Sequence, residues 1–404
     1  MSETVRILFV DDEPNILSGL KRLMRNMRDQ WDMSFCSSAP EALAAFESAP
    51  FDVIVSDMRM PGMDGAQLLE QVREKYPGTI RVILSGYADS ESVLRTVGPA
   101  HVYLAKPCDP HLLQEAIVRP LSLRAYLNSH ELRTLLAGLN NLPSLPDVFV
   151  RLNSELLFEN SSAASVSEII ASDLAMTAEV LRLTNSAYFS TAMKVTTPLQ
   201  AVRTLGMEII QSLVLRIGIF RQFQGSLAVG ALLKRVNEYS LRISKLAELI
   251  AKTEGVDHAF VTQALCTGML SPIGILVLLD AKGSDYRKII EESTSHEDLC
   301  QRETAHYGVN HHMIGAYLLS LWGFSQDVIE AVAMSHNPSQ TQGNENFVLT
   351  ALHAALSLGP HFLILKEGMS DVPELLDMDY IKRVGREDRI PVWRELAETI
   401  NERK

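Results

Sequence analysis

Cysteine is scarce and scattered. Cys36, Cys108, Cys266 and Cys300 are the only four, and none forms a CxxC pair. That spacing gives no sign of a zinc site or a disulfide framework and fits a reducing, cytoplasmic compartment. Positive charge is also short. There are 37 Lys and Arg against 49 Asp and Glu, for a formal net charge of −12. General nucleic-acid binding needs a basic footprint to neutralise phosphates, so this balance argues against it. A signal peptide is not expected either. The start, MSETVRILFVDDEPNIL, places acids directly behind a short apolar run and has no small-residue cleavage site. Residues 259–279 contain no charged side chain, which is long enough to be tested as a membrane span. Thr262, Gln263, Thr267, Ser271, Pro272 and two glycines interrupt the run, and it has no flanking basic cluster. A buried helix is therefore expected, with Pro272 starting or bending it.

With 404 residues, two or three domains are expected. In the first part, short β-branched runs at 5–10, 32–36, 51–56, 80–85 and 101–105 alternate with helical stretches at 14–28, 39–48, 64–75 and 88–96, and a further helix begins near Pro110. This alternation predicts an α/β doubly wound, five-stranded parallel sheet with crossover helices on both faces. Ligands of such sheets bind at the C-terminal strand ends. There the sequence gathers Asp11, Asp12, Asp57, Ser85 and Lys106. Carboxylates meeting at one point repel unless a hard cation sits among them, and Mg²⁺ suits oxygen ligands. Carboxylate, metal pocket, cation and hydroxyl together make a site for phosphoryl transfer onto a carboxylate.

The pieces VDDE (10–13), DVIVSDMRMPGMDG (52–65), VILSGYAD (82–89) and YLAKP (103–107) resemble the receiver domain of two-component response regulators. The resemblance implies Asp57 as phosphoacceptor. It also implies Mg²⁺ on Asp12, Asp57 and the Arg59 backbone carbonyl, with Asp11 acting through water. Ser85 and Lys106 would contact the phosphoryl group, and Tyr103 would be the aromatic switch. The wording SDMRMPGMDG and LSGYAD is also similar to receivers joined to HD-type cyclic-di-GMP phosphodiesterases.

Beyond about residue 147 only helical periodicity is evident, with 198–222 and 285–304 among the stretches that suit a helix and a capping-box start at Ser165 and Glu168. The pieces LPSLPDVFVRLNSEL (142–156), LRLTNSAYF (181–189), AVRTLG (201–206) and YGVNHHMIGAYLLSLWGF (307–324) resemble the HDOD domain, a helical output module related to HD-type metal phosphohydrolases. A working HD site needs imidazoles and carboxylates around metal. No His-Asp dipeptide occurs in the chain. By the resemblance, Ser271 stands for the histidine and Pro272 for the aspartate, and Tyr239 is nearest to an upstream histidine position. His311 and His336 remain at histidine positions of the family and are expected to serve as helix caps or core hydrogen-bond partners. The adjacent pair His311-His312 adds little, since neighbours on a helix face different ways.

The expected organisation is a receiver at 1–122, a linker helix at 123–140, an all-α HD-like HDOD domain at 141–365 and a C-terminal helical extension at 366–404. The expected function is a response regulator phosphorylated at Asp57 by a sensor histidine kinase. Its output domain is catalytically silent, with no cofactor, and binds a protein target. A cyclic-di-GMP signalling enzyme is one such target. Transmission would go through 109–138, either by shifting a homodimer contact or by freeing a surface. No membrane or nucleic-acid partner is expected. The alternatives are a metal-dependent phosphohydrolase of cyclic di-GMP and a DNA-binding regulator.

Overall fold

The computed structural model describes residues 4–86, 99–124, 127, 132, 134–136, 139, 142–156, 161–185, 194–211, 213–214, 221–341, 345–359 and 375–401. The helix expected at 88–96 lies outside these residues, as does most of the linker.

Five parallel strands are ordered β2-β1-β3-β4-β5. They are β1 (Val5–Val10), β2 (Trp31–Cys36), β3 (Val53–Asp57), β4 (Ile80–Gly86) and β5 (Val102–Lys106). Three described helices connect or follow the first strands: α1 (Pro14–Leu23), α2 (Ala39–Ser48) and α3 (Gly65–Lys75). Helix α4 (Pro110–Arg124) follows β5 and runs past residue 122 without a break. Strand β3 is buried along its whole length, as expected of a strand covered on both faces. The helix starts are set by local chemistry. Ser38 accepts the Glu41 N–H ahead of α2, and Asp64 with Gln67 forms a reciprocal capping box ahead of α3. The expected helix 14–28 is shorter, since α1 ends at Leu23 and a 3₁₀ turn spans Arg25–Met27.

The second part is helical: α5 (Pro146–Leu156), α6 (Ala163–Ala171), α7 (Leu174–Thr184), α8 (Pro198–Leu205), α9 (Met207–Gln211), α10 (Leu227–Thr253), α11 (His258–Leu270), α12 (Ile273–Glu292), α13 (His296–Tyr307), α14 (His311–Leu321), α15 (Gln326–Met334), α16 (Phe347–Leu358), α17 (Met378–Arg383) and α18 (Ile390–Asn401). Three sequence expectations need correction. The capping box before α6 is formed by Ser162 and Ser165, not Ser165 and Glu168, because the helix starts one turn earlier. The single helix expected at 198–222 breaks at Gly206, whose φ of 84° no helix accommodates. The region is also not wholly helical, since Pro143–Ser144 pairs in parallel with Arg221–Gln222.

The charge-free stretch resolves into α11 and α12, separated at Ser271-Pro272. Pro272 is the N-cap of α12, as a helix start requires. Among the described residues, His258–Glu292 is long and apolar enough to cross a membrane, but 83% of its apolar window is buried inside the bundle. It is a core element, packed against α10, α14 and α16. Gly274 makes the tightest of these contacts. A Cβ there would lie 1.9 Å from the His311 carbonyl oxygen, so only glycine lets α12 reach the start of α14. The C-terminal helix α18 joins the same core through Trp393, which is fully buried. Glu254 beside it accepts hydrogen bonds from Arg386, Arg389 and Trp393 at 3.1, 2.8 and 2.9 Å.

Candidate functional site

The sheet register brings the sequence-predicted residues to one edge. Asp57 pairs with Leu84, Ser85 with Ala105 and Lys106 with Gly86, while Val10, just before Asp11, pairs with Ser56. Asp11 and Asp57 are buried, at 1% and 7% exposure, and Asp12 is half-buried. Lys106 Nζ donates to Asp11 Oδ2 at 2.6 Å and forms an ion pair with Asp57 Oδ1. The Arg59 backbone N–H donates to Asp57 Oδ2 at 2.6 Å, and the Glu13 N–H to Asp11 Oδ1 at 2.9 Å. Gly65 closes the far side, since a Cβ there would lie 2.1 Å from the Asp57 carbonyl oxygen. Ser85 is half-buried at the end of β4. Tyr103 is turned inward at 7% exposure, its hydroxyl 3.5 Å from the Ala100 carbonyl.

Burial pushes the Asp57 carboxyl up, against the hydrogen bond and charge of Lys106, and the Asp11 charge pushes it further. Burial alone would lower the Lys106 ammonium, but hydrogen bonds to Asp11 and Asp57 and their charges outweigh it, and the group is raised. Two carboxylates, Asp11 and Asp57, share one ammonium here, so the pocket keeps a surplus of negative charge. The surplus and the all-oxygen donors fit a hard divalent cation such as Mg²⁺.

A second cluster lies in the helical domain and was only partly legible. His311 is buried, but it is no simple cap. Its ring Nδ1 lies 2.7 and 2.9 Å from the two oxygens of Glu303, and its backbone N–H donates to Glu303 Oε2 at 2.9 Å. Glu303 is fully buried and also accepts the Tyr286 hydroxyl at 2.5 Å. His296 Nε2 lies 2.8 Å from His312 Nε2 and 3.4 Å from Cys300 Sγ. The His336 ring stacks on His296 with centroids 3.7 Å apart. Burial, then the neighbouring imidazoles of His311, His336 and His296, hold His312 well below the usual imidazole range. His311 and His312 converge despite being adjacent, with ring centroids 4.0 Å apart. They occupy the first turn of α14. The reading of two histidines without a carboxylate missed His296, Cys300, His312 and Glu303. The signal available was His-x₃-Cys on one helix, followed by His-His opening the next. Tyr239, Ser271 and Pro272 line a cavity of about 10 Å³ together with His296, His311 and His312.

Comparison with known families matches residues 7–118 to the response regulator receiver domain and residues 142–338 to the HDOD domain. Among curated proteins, the hydrogenase transcriptional regulatory protein HoxA of Cupriavidus necator is 38% identical over 110 residues, which are 26% of this chain and 22% of that protein. The alginate biosynthesis transcriptional regulatory protein AlgB of Pseudomonas aeruginosa is 31% identical over 120 residues, 30% of this chain and 26% of that one. The chain thus spans about a quarter of the length of these relatives. Among solved structures, the MmoQ response regulator of Methylococcus capsulatus is 19% identical with a TM-score of 0.46, over 63% of this chain and 98% of that one. The signal receiver domain of an HD domain-containing protein from Pseudomonas fluorescens is 30% identical with a TM-score of 0.27, over 30% of this chain and 94% of that one.

Proposed function

Because this chain joins a response regulator receiver domain to an HDOD domain, we propose that it is a cytoplasmic, phosphorylation-controlled regulator in which Asp57 accepts the phosphoryl group and the helical domain is a non-catalytic output. The observation that carries the reading is Lys106 bridging Asp11 and Asp57 at the strand ends. In the transfer, an Asp57 carboxylate oxygen attacks the phosphorus of a sensor kinase's phosphohistidine. The O–P bond forms as the P–N bond breaks, and the imidazole keeps the electron pair and takes up a proton. Asp11, Asp12, Asp57 and the Arg59 carbonyl would hold Mg²⁺, which would supply positive charge against the phosphoryl oxygens. Lys106 leaves Asp57 Oδ1 for the phosphoryl oxygens, and the Ser85 hydroxyl donates beside it. Losing Lys106 from its present partner rearranges β5, the strand that also carries Tyr103.

The output is a change in affinity for a protein partner, since phosphorylation acts only through a difference between two states. The receiver's motif wording makes a cyclic-di-GMP signalling enzyme the partner to test first. Wild type and Asp57→Ala are incubated with a small-molecule phosphodonor and Mg²⁺. Hydroxylamine-labile acyl phosphate should appear on wild type and fall more than tenfold in the variant or with chelator. Equal labelling of the variant would contradict the assignment.

A further inference from the structure

We propose that the HDOD domain holds one zinc-type divalent metal ion on His296, Cys300, His311 and His312. One ligand atom from each of these residues lies within 4.8 Å of all the others. Tetrahedral donors at metal distances of about 2.0–2.3 Å sit roughly 3.3–3.6 Å apart. The His296–Cys300 separation of 3.4 Å falls within that spacing, and the 2.8 Å between His296 and His312 lies under it. Small side-chain adjustments bring the set to the metal.

Three further observations point the same way. First, the His311 Nδ1 is taken by the Glu303 carboxylate, which leaves Nε2 as the lone-pair donor. A carboxylate fixing one ring nitrogen so that the other faces a metal is the recurrent support of such sites. Second, charge closes: a divalent ion, a Cys300 thiolate and the buried Glu303 carboxylate sum to zero, which a buried site requires. Third, the cavity of about 10 Å³ against His296, His311 and His312 is the size of a single water or ion.

Three imidazoles and a thiolate favour zinc over Mg²⁺ or Ca²⁺. Four protein ligands leave no open position for an activated water, so the site is structural. It would tie α13 to the first turn of α14, the helix that packs on α4 of the receiver. This runs against the sequence expectation of a metal-free helical domain and does not depend on the role of Asp57.

The test uses full-length, chelator-stripped protein titrated with Co²⁺ as a spectroscopic stand-in. The expected result is one Co²⁺ per chain with tetrahedral visible bands and a thiolate charge-transfer band, both displaced by Zn²⁺. The receiver's oxygen ligands cannot give the charge-transfer band. It should persist in Asp57→Ala and fall more than tenfold in Cys300→Ser. Absence of the band in wild type, or its survival in Cys300→Ser, overturns the proposal. If Cys300→Ser does not fold, X-ray absorption of zinc-loaded wild type decides. Three nitrogens and one sulfur support the site, and any other first shell overturns it.

Discussion

Lys106 is the residue on which the receiver site balances. It separates two buried carboxylates that would otherwise face each other across the strand ends. Lys106→Met should therefore destabilise metal-free protein. Breaking a buried pair costs about 3–5 kcal/mol, and the lower end is expected because Lys106 is 20% exposed and water screens part of the interaction. Millimolar Mg²⁺ should recover much of the loss, since it replaces the missing charge. Urea unfolding with chelator and with Mg²⁺ measures both, and a variant as stable as wild type in chelator would refute the argument.

Asp173 gives a separate pH signature. It caps α7, accepting the Met176 N–H at 2.9 Å, and also holds the Leu145 N–H at 2.8 Å. Burial pushes its carboxyl from 3.8 up to about 6, against these hydrogen bonds. The folded state thus holds this proton more tightly than the unfolded one. The resulting stability is complete below pH 3.8 and is lost as pH rises through about 6. Asp173→Asn keeps the capping oxygen and does not titrate. Wild type should therefore lose up to about 3 kcal/mol relative to the variant across that window, measured by denaturant unfolding at each pH. The residues of the first site were legible because each follows an apolar run at a strand end. The second site was not, because its ligands come from two helices whose contact the periodicity does not reveal.

Among the elements, the α12–α14 crossing is the most constrained. Gly274 lies against the His311 backbone, and Gly315 faces Ile273 in return. Gly274→Ala forces a methyl into a carbonyl oxygen that cannot move without displacing the histidines. A loss of at least about 1–3 kcal/mol is expected, seen as a lower denaturation midpoint with the receiver's phosphorylation retained. Unchanged stability would show that the crossing is looser than drawn. The strands of the first domain were readable from short β-branched runs alternating with helical stretches. The two-residue pairing of Pro143–Ser144 with Arg221–Gln222 was not, because it joins distant segments too short to show a period. The helix expected across 285–304 also fails. Residues 293–295 interrupt it with an extended Ser293 and the Ser295 cap of α13, while α12 carries its own break at Gly283, φ 48°. A serine-threonine-serine run marks such a stop only once the next helix is known.

In the whole molecule, the receiver and the helical bundle share a direct contact. Helix α4 packs on α14, and a Cβ on Gly323 would lie 4.0 Å from the Val102 side chain of β5, an ordinary van der Waals contact. Arg81 of β4 is fully buried, donating to the Pro99 and Thr79 carbonyls at 2.5 and 3.0 Å. Burial first, then Arg73, lowers its guanidinium to about 9, while Tyr317 of α14 is close enough to raise it. Helix α14 therefore carries the histidine cluster at its start and also packs on the receiver's α4. At about 1.5 Å per residue, its 11 residues span roughly 16 Å. The sequence suggested a relay through 109–138; α4 lies within that span, and its packing on α14 gives a direct route from the receiver into the bundle. The most direct measurement of this control is hydrogen exchange on the full chain, with and without phosphodonor and Mg²⁺, in wild type and Asp57→Ala. Wild type should change protection in α4 and α14 on phosphorylation, and Asp57→Ala should not. Exchange that changes only within the receiver, or changes equally in the variant, would contradict control of the helical domain by Asp57.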